Sequence, residues 1–222
     1  MSTLEGRELV EYALSLGALE LLPEGRALKS GRISPYFFNS ALFNNGETLK
    51  KLAEAYVPVV LHTEPDVLFG PAYKGIPLVT ATSLMVEIKY QTICGWACNR
   101  KEAKDHGEGG LLMGHPLEGQ KVLILDDVIT SGLSADEACR FVHEHGGTVA
   151  GYAISFDRQE CGKDGGPSAI KEFEDRQGVE VDAAATLQDL IAVLQQKGKR
   201  YKHGVEVLPM ILEYREKYGV SL

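Results

Sequence analysis

Apolar residues recur at helical spacing over residues 4 to 19, at Leu9, Val10, Ala13, Leu14 and Leu16. Gly17 and the Pro23–Gly25 segment close that helix. Residues 27 to 43 are rich in strand formers punctuated by Gly31 and Pro35, which predicts a hairpin-like piece. A second helix covers Thr48 to His62, with Pro58 as the place it would break. From residue 66 the period switches back and forth. Val67-Leu68-Phe69 reads as a strand, and Ile76 to Lys89 as a helix with Pro77 in its first turn. Gln91 to Cys98 and Lys121 to Val128 are strands. Ser134 to Gly146 is a helix, Thr148 to Phe156 a strand, Ser168 to Gln177 a helix and Val179 to Ala183 a short strand. Helices at Leu187 to Gln196 and Val207 to Tyr218, joined by polar Lys197–His203, finish the chain. This alternation predicts an α/β fold with a mostly parallel sheet flanked by helices. No element fits the polar, glycine-containing stretch from Arg100 to Gly119, and a loop of that length inside a domain is usually a lid or a binding loop.

The strand at Lys121 ends in unusual chemistry. Val122-Leu123-Ile124-Leu125 has the continuous apolar run of a strand buried on both faces. It leads straight into Asp126 and Asp127, and then Val128, Ile129, Thr130, Ser131 and Gly132 before the next helix. Open α/β sheets bind ligands at the carboxyl ends of their strands. Hydroxyls and backbone N–H groups at a helix start suit a phosphate. Two acids beside a phosphate need ribose hydroxyls or a bound Mg²⁺ to avoid repelling it. The structural alternative is a solvated Asp-Asp turn that caps the next helix. Neither G-x-x-x-x-G-K-[ST] nor G-x-G-x-x-G after a strand occurs.

With 222 residues the chain can bury one good-sized α/β domain. The formal charge of −8 argues against nucleic acid as a general partner. No apolar run is long enough for a transmembrane helix, and the start lacks signal-peptide character, so a cytoplasmic protein is expected. Cys94, Cys98, Cys139 and Cys161 match no zinc spacing and read as buried thiols, with Cys94 and Cys98 on one face of their strand. Against the acidic background, Arg100, Lys101, Lys104 and His106 stand out. On composition alone, a lid closing over a polyphosphate and a solvated charged loop are equally good readings, since Glu102, Asp105 and Glu108 dilute the charge.

The hydrophobic run, two acids and T-x-G resemble the signature that binds phosphoribosyl pyrophosphate (PRPP) in type I phosphoribosyltransferases. The string from Arg100 to Gly110, R-K-E-A-K-D-H-G-E-G-G, is more specific and resembles the catalytic loop of the orotate phosphoribosyltransferase family. So do the blocks Leu28 to Asn39, Phe69 to Pro77 and Ser155 to Glu160, in the family's order. The resemblance implies the type I phosphoribosyltransferase fold in a single domain. Residues 1–45 would form a small hood, 46–185 the core with a mobile loop at 100–119, and 186–222 the C-terminal helices. It implies transfer of the phosphoribosyl group from PRPP to orotate, with Mg²⁺ held mainly through PRPP. It also implies a homodimer whose loops reach into each other's sites.

By that likeness, Arg100, Lys101, Lys104, His106, Tyr73 and Lys74 hold the pyrophosphate, with Gly70-Pro71-Ala72 letting the backbone approach it. Asp126 and Asp127 take the ribose hydroxyls. Val128, Ile129, Thr130, Ser131, Gly132, Leu133 and Ser134 cradle the 5′-phosphate. Phe37, Phe38, Thr130 and Arg158 frame orotate, and Lys29 serves both substrates. Lys104, His106, Asp126 and Asp127 are the catalytic candidates. Without the likeness, each has a plainer reading. Strand alternation leaves only one of Phe37 and Phe38 fully buried. Arg158 can pair with Asp157 on the surface, Lys29 can be a hairpin lysine, and His106 can be an exposed histidine. The family usually carries Thr where this chain has Leu133, and leucine has no hydroxyl to donate. Ser134 follows it and its hydroxyl can substitute. Two other functions compete: a regulator that keeps the PRPP site without catalysis, and a transferase acting on a purine. The intact basic loop argues against the first, and the Phe37–Phe38 and Arg158 segments against the second.

Overall fold

The protein is described by a computed structural model that covers residues 4–28, 30–104, 110–129, 132–162 and 165–220. The elements in chain order are α1 (Leu4–Leu16), β1 (Leu19–Ala27), β2 (Ile33–Phe38), α2 (Gly46–Thr63), β3 (Val67–Gly70), α3 (Gly75–Tyr90), β4 (Gly95–Lys104) and β5 (Gly110–Gly114). They continue with β6 (Lys121–Asp126), α4 (Leu133–Glu144), β7 (Thr148–Asp157), α5 (Ala169–Gln177), β8 (Val181–Thr186), α6 (Leu187–Lys197) and α7 (Gly204–Tyr218). They fall into two compact units. One comprises Met1–Asn44, Phe156–Ala169 and Ala184–Leu222, and the other Asn45–Ser155 and Ile170–Ala183.

The second unit is built on a six-stranded sheet of order β5-β4-β3-β6-β7-β8. β4, β3, β6 and β7 run parallel, and β5 is antiparallel to β4. Val122, Leu123, Ile124 and Leu125 are all fully buried, as a central strand with helices on both faces requires. On one face, Phe69, Ile124, Tyr152 and Ile154 pack with Cys139 and Val142 of α4 and Phe173 of α5. α2 starts at a capping box in which Asn45 and Thr48 satisfy each other's backbone N–H groups, and it runs unbroken through Pro58. From β3 the chain moves outward to β4, and it later returns to place β6 on β3's other side. The gap between β3 and β6 is therefore a topological switch point, where open α/β sheets bind ligands.

In the first unit, α1, the β1–β2 hairpin, α6 and α7 surround a core in which Tyr36 meets Phe156 and Tyr214 edge-on. The hairpin corrects the sequence reading. β1 begins at Leu19, and Pro23–Gly25 does not terminate a helix but lies inside the strand, where the register slips between Leu21 and Arg26. Proline lacks the ladder N–H and Gly25 takes φ 71°, so the segment forms a bulge.

The stretch from Arg100 to Gly119 is corrected as well. The strand expected at Gln91 starts at Gly95 and runs on to Lys104, and Gly110–Gly114 pairs back onto it, Asn99 facing Leu112 and Lys104 facing Gly110. Gln91, in the left-handed region at φ 53°, ends α3 instead. All four cysteines are free, and burial pushes the Cys94 and Cys139 thiols up to about 11 and about 12. Among the described residues, no helix is long and apolar enough to cross a membrane.

Candidate active site

Two turns flank the switch point at the carboxyl ends of β3 and β6. After β3 the chain folds so tightly that a Cβ on Gly70 would lie 2.3 Å from the carbonyl oxygen of Gly75. Only glycine fits there. Between them lie Pro71, Ala72, Tyr73 and Lys74, with a cis peptide at Ala72–Tyr73. Asn99, on β4, accepts the Ala72 N–H at 2.8 Å and fixes this turn to the neighbouring strand. Tyr73 is 67% exposed, and the Lys101 ammonium lies 4.9 Å from its ring centre. The turn thus gathers three of the residues expected to hold pyrophosphate, Tyr73, Lys74 and Lys101. A fourth, Arg100, points its guanidinium at the carbonyls of Leu112 and Gly110, at 3.2 and 3.3 Å.

After β6 the two acids have unlike surroundings. Asp126 Oδ1 accepts the Asp127 N–H at 2.8 Å, and its Oδ2 accepts the Tyr152 hydroxyl at 3.0 Å. The Tyr56 hydroxyl donates to the Asp126 carbonyl and also sits 2.7 Å from Ser155 Oγ. Burial, and next the charge of Asp127, push the Asp126 carboxyl up to about 6. Asp127 instead pairs with Lys74 at 2.5 Å. This pair joins the two turns across the switch point. Gly132 is α4's N-cap, in the left-handed region at φ 78°, and makes no side-chain cap hydrogen bond. Leu133 opens the helix with its side chain 67% exposed. Ser134 beside it is exposed too, and Val128 and Ile129 are half-buried. An anion at this helix start would meet open N–H groups and the positive end of the dipole.

In the first unit, Phe37 and Phe38 are both half-buried, whereas alternation predicted one fully buried ring. Phe38 stacks on Phe156 with ring centres 5.3 Å apart, and Arg26 covers Phe37 at 4.2 Å. Arg158 does not pair with Asp157 at the surface. Its Nε binds Glu160 at 2.7 Å, its Nη2 donates to Ser34 Oγ at 2.8 Å, and its guanidinium lies 4.3 Å from the Tyr36 ring centre. Lys29, His106, Thr130 and Ser131 lie outside the described residues, as does the side chain of Lys104. Asn99, Tyr56, Tyr152, Glu160 and Tyr214 escaped the sequence reading. Each acts on a partner far along the chain, and the only sequence trace is the position of Glu160 two residues after Arg158.

A parallel sheet with an acid pair and an open helix start at its switch point is the architecture of a nucleotide-phosphate enzyme of the phosphoribosyltransferase class. The family model for the phosphoribosyl transferase domain matches residues 39–184. The chain is 50% identical over 196 residues to the orotate phosphoribosyltransferase of Nitrosococcus oceani, covering 87% of each chain. It superposes on the crystal structure of orotate phosphoribosyltransferase from Francisella tularensis with a TM-score of 0.82 and 35% identity, over 96% of this chain and 100% of that one. The Mycobacterium tuberculosis orotate phosphoribosyltransferase solved with PRPP shares the fold at a TM-score of 0.61 and 22% identity, over 83% of this chain and 98% of that one. The chain belongs to the phosphoribosyltransferase family, and within it to the orotate phosphoribosyltransferases.

Proposed function

We propose that this protein transfers the 5-phosphoribosyl group of PRPP to orotate, releasing pyrophosphate and orotidine 5′-monophosphate, as a step of pyrimidine nucleotide synthesis in the cytoplasm. The observation that carries the reading is the pair of unlike carboxylates at the end of β6, one held by neutral donors and one by Lys74, ahead of an open helix start. The C1′–O bond of PRPP breaks, the pyrophosphate leaves with the bonding electrons, and N1 of orotate bonds to C1′ as its N–H proton is given up to the released pyrophosphate or solvent. Positive charge grows on the ribose and negative charge on the leaving group. Asp126 and Asp127 accept hydrogen bonds from the ribose hydroxyls and favour the cationic sugar.

Lys74 leaves Asp127 for the pyrophosphate, joined by Tyr73, Arg100, Lys101, Lys104 and His106. Residues 128–134 hold the 5′-phosphate. Phe37, Phe38, Thr130 and Arg158 hold orotate, and Lys29 reaches both substrates. Rings supply stacking area and the arginine a planar fork for the carboxylate. The segment carrying Lys104 and His106 excludes water that would hydrolyse PRPP.

The donor set fits a Mg²⁺ brought by the substrate. Among the described residues no three His, Cys, Asp or Glu converge, and Mg²⁺ commonly binds through substrate phosphates with one or two carboxylates. Asp126 and Asp127 are the carboxylates that would hold it, through the hydroxyls they bind. Bound there, it would offset charge on the leaving group.

A homodimer fits one exposed strip. Leu84 and Ile88 share a face of α3, and Tyr90 and Ile93 follow, at 58%, 61%, 50% and 90% exposure. A second copy covering this strip removes apolar surface from water. The test is the loss of orotate absorbance with PRPP and Mg²⁺, with adenine and hypoxanthine as controls. Turnover of orotate alone supports the reading. PRPP binding without turnover identifies a regulator, and turnover of either purine identifies a different transferase.

A further inference from the structure

The first unit holds a cluster of charge whose members come from three distant parts of the chain. Glu160 is its hub. Its Oε1 accepts Arg158 Nε at 2.7 Å and the Tyr214 hydroxyl of α7 at 3.0 Å. Its Oε2 accepts Arg32 Nη1 at 3.0 Å. Arg32 is held in turn by the Gly162 carbonyl at 2.8 Å, and its guanidinium lies 4.8 Å from the Tyr218 ring centre. Ser34 Oγ, fully buried, accepts Arg158 Nη2 and donates to the Tyr36 carbonyl at 2.7 Å. The side chains of Arg158, Arg32 and Glu160 keep only 21%, 16% and 14% of their exposure. Arg158 is therefore fixed along its Nε edge, on one Nη and on one face, by an acid that is itself triply occupied. An arginine has five N–H donors in a rigid plane, and here Glu160, Ser34 and the Tyr214 hydroxyl all bond to it. The donors left over suit a planar anion.

We propose that Glu160 and Tyr214 are positioning residues for base recognition, locking the Arg158 guanidinium in the orientation that binds the carboxylate of orotate. The proposal rests on the functional reading above, and it makes the C-terminal helix α7 part of substrate selection. Tyr214 touches no substrate. It restrains Glu160 and bonds to the Arg158 guanidinium as well. Arg32 balances the acid, so two cations share one carboxylate and the cluster keeps positive charge for an anionic base. A purine has no carboxylate and gains nothing from this arrangement.

Tyr214→Phe removes one hydroxyl and keeps the ring. Orotate and PRPP KM values, kcat, and orotate affinity by calorimetry are measured in this variant, in Glu160→Gln, in Arg158→Gln, and in the double variant Tyr214→Phe/Arg158→Gln. The expected result is a rise of roughly fivefold to tenfold in orotate KM and Kd for Tyr214→Phe, the size of coupling seen between contacting polar groups. PRPP KM stays within about twofold, which is ordinary scatter for an uncoupled site. Glu160→Gln shows the same split. The Tyr214→Phe effect disappears in the Arg158→Gln background. Equal changes in both KM values, an unchanged orotate Kd, or a full Tyr214→Phe effect without Arg158 overturns the proposal. Were wild-type protein inactive on orotate, the functional reading itself would fail first. An active wild type with an unsplit Tyr214→Phe variant sinks only the positioning role.

Discussion

Lys74–Asp127 and Arg158–Glu160 are both ion pairs beside residues assigned to substrate, yet they are built in opposite ways. Lys74 is 62% exposed and its bond to Asp127 is its single described polar contact, made at the end of a flexible stem. Arg158 is 21% exposed and held by Glu160, Ser34 and the Tyr36 ring together. The difference matches what each cation must do. In the proposed mechanism Lys74 changes partners when a pyrophosphate arrives, so a weak, solvated pair is suited to it. In the same proposal Arg158 meets a rigid, flat anion and gains by standing ready, because an already oriented charge needs no reorganisation during binding. One pair is an exchangeable counterion and the other a fixed frame.

The largest expected effect lies on the exchangeable side. On the proposed roles, Lys74→Ala and Lys104→Ala each remove a cation from the leaving group, which typically costs ~10²–10³ in turnover. Lys74→Ala should melt with the wild type, since an exposed pair contributes about 0–1 kcal/mol, and Lys104→Ala should keep the fold. Steady-state kinetics and thermal melts check this. Wild-type turnover in Lys104→Ala removes that residue from the mechanism. A marked drop in Tm for Lys74→Ala would make its pair structural and erase the contrast.

On the fixed side, activity and stability should fall together. Arg158→Met leaves Glu160 half-buried with Arg32 as its remaining cation. The cost is on the order of 2–3 kcal/mol, below the range for a fully dry pair because some solvent still reaches these side chains. In a chain of this size that lowers Tm by about 4–12 °C. Orotate binding by calorimetry should be lost in the same variant. An unmoved Tm would show that Arg158 is no more fixed than Lys74.

A smaller effect separates the two acids. The folded carboxyl of Asp126 is raised from 3.8 to about 6, chiefly by burial. The folded state therefore binds this proton more tightly than the unfolded chain. The group's contribution to stability is full below pH 3.8 and is lost as pH rises through about 6. Catalysis runs the other way, because only the ionised acid favours a cationic ribose. Turnover at limiting PRPP should fall as pH drops through about 6. Tyr152→Phe removes a hydrogen bond that lowers this value, so its acid limb should move to higher pH. An acid limb at the same pH in that variant would deny Tyr152 any hold on Asp126.

The legible parts of the site are those that the chain writes consecutively. β6, both acids and the start of α4 occupy one run from Lys121 to Ser134, where an apolar strand pattern ends on chemistry. The parallel sheet was legible for the same reason, since its strands and helices each carry their own period. β1 and the β4–β5 pair were not. Pro23 and Gly25 are breaker residues whose role as a bulge depends on the partner strand, and Arg100 to Lys104 pair as a strand without any apolar alternation. Tyr152, Asn99 and Tyr214 were hidden by a different cause. A hydrogen bond between residues far apart in the chain leaves no periodic mark, and an aromatic on a strand or an amphipathic helix reads as core.

The finest test of the exchangeable side is the residue that opens α4. The family pattern places a hydroxyl there, and this chain has Leu133, exposed and with nothing to donate. The helix N–H groups remain, Gly132 shapes the turn, and Ser134 carries a hydroxyl one position on. An added neutral donor to a phosphate is worth about one modest hydrogen bond, so Leu133→Thr should lower the PRPP KM by roughly twofold to fivefold. Because the side chain is exposed, Tm should barely move, and orotate KM should stay unchanged. An unaltered PRPP KM would mean that backbone N–H groups already satisfy the 5′-phosphate. In that case the phosphate cradle is as rigidly prepared as the Arg158 frame, and exchange of partners is confined to the pyrophosphate side, where Lys74 stands.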